Sequence, residues 1–322
     1  MSLKKFNIYP PVILAPLAGI SDAPFRSICR ELGAGLAVSE MISSFGLHYN
    51  NKKTVNYLFH YEDEKPTCFQ IFGNDPDIMA ESAVKLAEKN IDIIDINMGC
   101  SVPKVKNSGS GASLLDKPKL VDNIISKMVK AVSLPISSKI RIPSEKPDSD
   151  QIENLLYISR VIQNAGASFI TLHPRTPASG FRGRSDWRFI KILKENLDIP
   201  VIGSGDILNH KDALEMFRTT GCDGIMIGRA SLGNPWIFLR IKNAIEGKDP
   251  DFKISKEEKL NVILKHCKLI INNETSHYAT IKLKKHLSWY SKGEKNSAEF
   301  RNDIFSLDNP ENILKSIEKL FK

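Results

Sequence analysis

No apolar run in the 322-residue chain approaches the ~20 residues needed to cross a bilayer. The start, MSLKKFNIYPP, lacks the uninterrupted apolar core of a signal peptide, so no membrane association and a cytoplasmic location are the expectation. Cysteine is sparse. The five residues Cys29, Cys68, Cys100, Cys222 and Cys267 are odd in number and never form C-x-x-C, which favours neither a disulfide framework nor a zinc site, and no metal is expected. A Rossmann fingerprint is missing too, because Gly203 and Gly205 would need a third glycine where Leu208 stands. With 42% hydrophobic and 25% charged residues, neither a disordered chain nor a fibrous repeat fits. What the chain has in excess is positive charge. A net charge of +8 draws it towards polyanions such as nucleic acid, although many proteins this basic bind none.

Eight short β-rich runs stand along the chain, most followed by a helical stretch. They are VILAPLAG from Val12, GLAVSEM from Gly35, TCFQIFG from Thr67, IDIIDIN from Ile91, PISSKIR from Pro135, SFITLHP from Ser168, PVIGSGDI from Pro200 and GIMIGRA from Gly224. Because the runs are continuously apolar instead of alternating, they predict strands covered on both faces, hence a parallel sheet. An open doubly wound sheet satisfies the same alternation, but eight βα units in about 240 residues match the size of a (β/α)8 TIM barrel, and that α/β fold is the expectation. The strands then stop. Gly247, Pro250 and nearby charges read as a linker, separating a barrel domain over 1–247 from a small all-helical domain over 251–322. In the tail, Ser255 and Glu258 predict a capping box, followed by an apolar stripe of Leu260, Ile263, Leu264, Cys267, Ile270 and Ile271. Asn309 and Pro310 begin a last helix with Ile313, Leu314, Ile317 and Leu320 on its apolar face. Lys282, Lys284 and Lys285 lie beside His286 and Trp289, a pattern that suits either a solvated helix face or RNA contact.

Barrel enzymes build their sites at the C-terminal ends of the strands. Here those ends supply Pro16 to Gly19, Glu40, Gln70, Asn97 to Cys100, Lys139 with Arg141, His173 with Arg175, Ser204 to Asp206, and Gly228 with Arg229. The glycines of GSGD and GRA, after the seventh and eighth strands, allow backbone N–H groups to approach a phosphate, where an FMN phosphate would fit; tight turns alone would explain them equally. Lys139 would offer a positive charge to a reduced flavin, and the Gln70 amide both donor and acceptor to the ring edge. Cys29, Cys68, Cys222 and Cys267 read as small buried hydrophobes. Cys100 does not, because it follows Gly99 in a loop at the predicted rim. A thiol of ordinary pKa, about 8.5, is mostly protonated at neutral pH and can give up a proton. No partner base stands beside it in sequence to make it a hydrolytic nucleophile, although His173 could approach it in space.

Six separated blocks, APLAGISDAPFR, QIFGNDPDIMAESA, DINMGC, KIR, HPRT and GRASLGNPW, together resemble the tRNA-dihydrouridine synthases, especially the bacterial B-type branch. KKHLSWYSKG from Lys284 is similar to that branch's C-terminal RNA-binding helical domain. The resemblance implies an oxidoreductase that binds FMN, takes electrons from NADPH and reduces the C5=C6 bond of selected uridines in tRNA. It implies hydride addition at C6, with Cys100 as the acid that protonates C5. It further implies FMN contacts from Pro16, Leu17, Ala18, Gln70, Lys139, His173, Ser204, Gly205, Asp206, Gly228 and Arg229, and substrate contacts from Asn97, Arg175, Lys284 and Lys285. The partner implied is tRNA, and no obligatory protein partner is inferred. The chain departs from the pattern at Ser101, Pro177 and Ser204, where proline, a basic residue and asparagine are usual. Two other readings stay open: a flavin barrel acting on a small molecule, of the dihydroorotate or dihydropyrimidine dehydrogenase type, and a tRNA-binding or folding protein with incidental flavin.

Overall fold

The structure, a computed structural model, describes residues 2–143 and 148–321. Among the described residues nine strands form, eight of them on the apolar runs and β3 just beyond the second run: β1 (Val12–Leu14), β2 (Leu36–Val38), β3 (Ile42–Ser43), β4 (Thr67–Phe72), β5 (Ile93–Met98), β6 (Ile136–Arg141), β7 (Phe169–His173), β8 (Val201–Ser204) and β9 (Gly224–Ile227). Every pairing among the described residues is parallel; the order runs β2-β1-β9-β8-β7-β6-β5-β4, and β2 also pairs with β4, so the sheet closes on itself. Both β2 and β3 pair with β4, and they therefore make one interrupted stave of an eight-stave barrel. The (β/α)8 expectation holds.

The second run, read as one strand from Gly35 to Met41, breaks after Val38 instead. The physical reason is Ser39. Its hydroxyl accepts the Gln70 N–H at 3.0 Å and donates to the Glu40 carbonyl at 2.9 Å, replacing the ladder bond with a side-chain bond.

Between strands and outer helices lies one continuous apolar layer that includes Leu14, Phe69, Ile94, Ile140, Ile170 and Ile225. A second, smaller cluster fills the barrel's N-terminal end, where Leu3 and Phe6 of the short helix Leu3–Phe6 plug the bore against Ile13, Phe169 and Met226. One end is thereby sealed and the other left for chemistry.

Four helices follow the barrel, Lys256–Asn273, Ser276–Tyr290, Ser297–Ser306 and Pro310–Phe321, around a core of their own built on Ile263, Cys267, Ile270, Leu283, Leu287 and Ile313. The capping box is formed: Ser255 Oγ accepts the Glu258 N–H at 3.1 Å, and Glu258 Oε2 accepts the Ser255 N–H at 2.8 Å. Leu320 lies outside the described side chains. These helices dock on barrel helix Ala23–Glu31, where the Phe25 ring lies 5.5 Å from His266 and 5.3 Å from His286. Lys282 pairs with Asp22 at 2.8 Å and Lys265 with Glu31 at 2.6 Å across the same junction. No helix among the described residues is long and apolar enough to cross a membrane.

Candidate active site

One cavity of about 260 Å³ opens at the C-terminal end of the barrel. All eleven residues expected to hold the cofactor line it, together with Asn97, Cys100 and Arg175. Among the five cysteines Cys100 alone is part-exposed, the other four being buried. Lys284 and Lys285 are elsewhere. The Lys285 ammonium donates to the Gly19 carbonyl at 2.9 Å, on the loop that leaves β1, and lies 5.6 Å above the Trp289 ring. Lys284 donates to the Phe305 carbonyl at 3.0 Å, at the end of helix Ser297–Ser306. His286 is fully buried and Lys282 is held by Asp22 and Glu274, so only part of the basic and aromatic stretch faces solvent.

The cysteine loop is set by a chain of side-chain amides rooted in the barrel floor. Buried Asp95 accepts from Ser137 Oγ at 2.6 Å and from Gln70 Nε2 at 2.7 Å. Gln70 Oε1 then accepts from Asn97 Nδ2 at 2.7 Å, which leaves Asn97 Oδ1 to accept the Gly99 and Cys100 N–H groups at 3.2 and 2.9 Å. A carboxylate only accepts, so Asp95 fixes which way both amides point. Burial raises its pKa against the two hydrogen bonds and Lys139. In the Asp95→Asn variant the inserted NH2 group removes that direction, and the loop loses its pull on two N–H groups. Each is worth about 1 kcal/mol, so alkylation of Cys100 by iodoacetamide should accelerate about fivefold or more.

Opposite this chain stands a basic wall. Arg175 is 4% exposed and nearly all its donors are engaged: His173 Nε2 at 3.1 Å, Asp206 Oδ2 at 2.6 Å, the Gly183 carbonyl at 2.7 Å and the Arg182 carbonyl at 3.3 Å. A guanidinium cannot accept, so the neutral His173 ring carries its proton on Nδ1. Burial, then Lys139 and the arginines Arg141, Arg175 and Arg229, pull the His173 pKa down to about 2 from 6.5. Burial and Arg141 pull Lys139 down to about 8 from 10.5, with Asp95 opposing. In both cases the unfolded chain binds a proton that the folded protein has released. Stability therefore rises with pH, through the window from about 2 to 6.5 for His173 and from about 8 to 10.5 for Lys139. A His173→Gln variant should lose thermal stability less steeply than the parent on acidification below pH 6.5, followed by melting temperature against pH.

Gly205 and Gly228 give this wall its shape. At Gly205, φ is +115°, and a Cβ would collide with Ser185 Oγ, so the turn after β8 accepts glycine only. At Gly228 a Cβ would sit 3.8 Å from Ala15 Cβ and Leu17 Cδ2, filling space that the cavity uses. Asp206 receives the Ser185 N–H at 2.7 Å as well as Arg175, and its pKa falls because these bonds and Arg229 outweigh burial. The part-exposed Gly205 and Gly228, the Ser204 hydroxyl and the half-exposed Arg229 could together donate to a phosphate, while Lys139, Gln70 and Asn97 also line the cavity. That arrangement suits a flavin that carries a phosphate.

Phe181 was not anticipated. It lies in the loop after β7, 60% exposed, with the Arg229 guanidinium 4.7 Å and the Arg141 guanidinium 5.8 Å from its ring centroid, and it lines the cavity. The signal available was an aromatic between glycines, SGFRG, in a loop already rich in arginine. Met41, beside the break in the second stave, was missed as well.

Fold and site together define a TIM-barrel enzyme with a basic, glycine-lined cavity and a part-exposed thiol at its open end. A model of the Dihydrouridine synthase (Dus) family matches residues 13–322, and the chain belongs to that family of oxidoreductases. It is 36% identical over 321 residues to a tRNA-dihydrouridine synthase B of Pasteurella multocida, covering 100% of this chain and 96% of that protein. With a probable tRNA-dihydrouridine synthase of Aquifex aeolicus it shares 35% identity over 96% of this chain and 95% of the other. Among solved structures, histamine dehydrogenase from Rhizobium sp. 4-9 superposes with a TM-score of 0.56 at 15% identity, over 80% of this chain and 49% of that one, a likeness of fold.

Proposed function

We propose that this chain reduces the C5=C6 bond of uridines in tRNA, in the cytoplasm, holding FMN in the barrel part over 1–247 and drawing electrons from NADPH. The observation that carries this reading is Cys100: its part-exposed thiol shares one cavity with Lys139 and with a glycine-rich anion cradle. When bound, FMN supplies the hydride for uracil C6. The rest of the chemistry falls to the chain. Ser204, Gly205, Gly228 and Arg229 hold the phosphate, Pro16 to Ala18 shape one wall, and Asp206 orients Arg229 across 3.4 Å. His173, kept neutral, offers its Nδ1–H as a donor that brings no charge. Lys139 brings a positive charge to the cavity, and Gln70 and Asn97 present amides of fixed direction to flavin and base. Cys100 delivers its proton to C5 as charge develops towards the C4 carbonyl, and a thiolate remains to be reprotonated from solvent. Arg175, expected to contact uridine, is better placed to hold His173 and Asp206 in position.

A uridine stacked in folded tRNA cannot enter such a cavity, so it must be turned out of its stack. The helical part over 251–322 would offset that cost with phosphate contacts, with Lys285, against the β1 loop, and Lys284 each exchanging a backbone carbonyl, that of Gly19 and that of Phe305, for a phosphate. The test is a mass-spectrometric map of dihydrouridine in tRNA from cells with and without this gene. The map should lose dihydrouridine at defined positions in the deletion strain; identical maps would remove the proposal.

A further inference from the structure

A second cavity, of about 430 Å³, lies where the barrel meets the helical part. Two consecutive pairs of residues separate it from the first, since Ala18 and Met41 line the active-site cavity whereas Gly19 and Glu40 line this one. Glu40 is 6% exposed. Its Oε2 accepts the Gly19 N–H, and among the described residues its other oxygen meets no hydrogen-bond donor. Three open rings stand on the remaining wall, Tyr57 47% exposed, Phe59 48% and Tyr278 54%, beside Asp22 and Glu274, whose charges Lys282 pairs. Half-exposed rings beside a carboxylate whose second oxygen opens to the cavity suit a flat ligand with N–H donors. Lys53 at the edge supplies a cation for a backbone phosphate.

We propose that this cavity receives a second unstacked base of the same tRNA, close in the strand to the uridine in the active site, and that Glu40 reads its N–H edge. Guanine fits best, because its N1–H and 2-amino group together match the two oxygens of one carboxylate. Tyr57 and Tyr278 come from opposite sides of the junction, one from the barrel and one from helix Ser276–Tyr290, and offer ring faces to the base. Burial raises the Glu40 pKa against the pull of the Gly19 N–H, which is the state of a carboxylate short of donors. The inference rests on the tRNA reading above and adds to it a second recognised base.

The test uses the full-length holoenzyme and unmodified tRNA transcripts. Glu40→Gln keeps an oxygen for the Gly19 N–H, and Tyr57→Ala and Tyr278→Ala alter exposed rings, so all three should fold. Each should raise KM for tRNA on the order of tenfold, with turnover at saturating tRNA changing less. Inosine in place of one guanosine near the modified uridine should raise the wild-type KM by a similar factor and add nothing in Glu40→Gln. Unchanged KM in the three variants, a rise in KM for NADPH in its place, or inosine and Glu40→Gln effects that simply multiply would overturn the proposal. A wild-type enzyme that makes no dihydrouridine would instead refute the tRNA reading, and this inference with it.

Discussion

Replacing Cys100 by alanine is expected to slow dihydrouridine formation about 10²- to 10⁴-fold, the usual contribution of a positioned general acid. The variant should still bind flavin and tRNA, because the backbone N–H of residue 100, not its sulfur, holds the loop to Asn97 Oδ1. Flavin reduction by NADPH should likewise persist, with oxidation by tRNA becoming the slow step. Stopped-flow flavin absorbance separates the two half-reactions. Full activity in Cys100→Ala would remove the proton-transfer role, and a variant unable to bind FMN would show that the thiol matters for structure.

Charge reversal at Arg229 is the second large effect. Its guanidinium is half exposed, 3.4 Å from Asp206 and 4.7 Å from the Phe181 ring, so Arg229→Glu disturbs no core packing and should leave the fold intact. The substituted carboxylate would face both Asp206 and the flavin phosphate. FMN affinity should fall on the order of a hundredfold, the scale expected when repulsion takes the place of a charge-assisted hydrogen bond to phosphate. Titration by flavin fluorescence, with far-ultraviolet circular dichroism as the fold control, checks this. An unaltered affinity would move the phosphate away from the loops after β8 and β9.

The staves and their polar ends were legible because a parallel barrel writes them as apolar runs punctuated at one end. The clustering of residues as distant as Pro16 and Arg229 follows from ring closure, which the count of eight already implied. Other features depend on partners far apart in sequence. The break at Ser39 needs the Gln70 N–H, and the direction of the Asn97 amide needs Asp95 beneath Gln70. In the tail, composition could not sort the basic and aromatic residues by facing. His286 turned inward against Phe25, Lys282 into ion pairs with Asp22 and Glu274, and Lys285 towards the β1 loop. Phe181 escaped for a related reason: its loop has no periodicity, and its place between two guanidinium groups exists only once strands β6 and β9 face the same opening.

The central claim is that electrons entering through flavin leave in a uracil ring. It is tested most directly by incubating the purified protein with FMN, NADPH and a tRNA transcript free of modification, then measuring the mass of each uridine. A gain of two hydrogen atoms at one or a few uridines, absent without NADPH, is the expected result. NADPH consumption with every uridine unchanged in mass would contradict it.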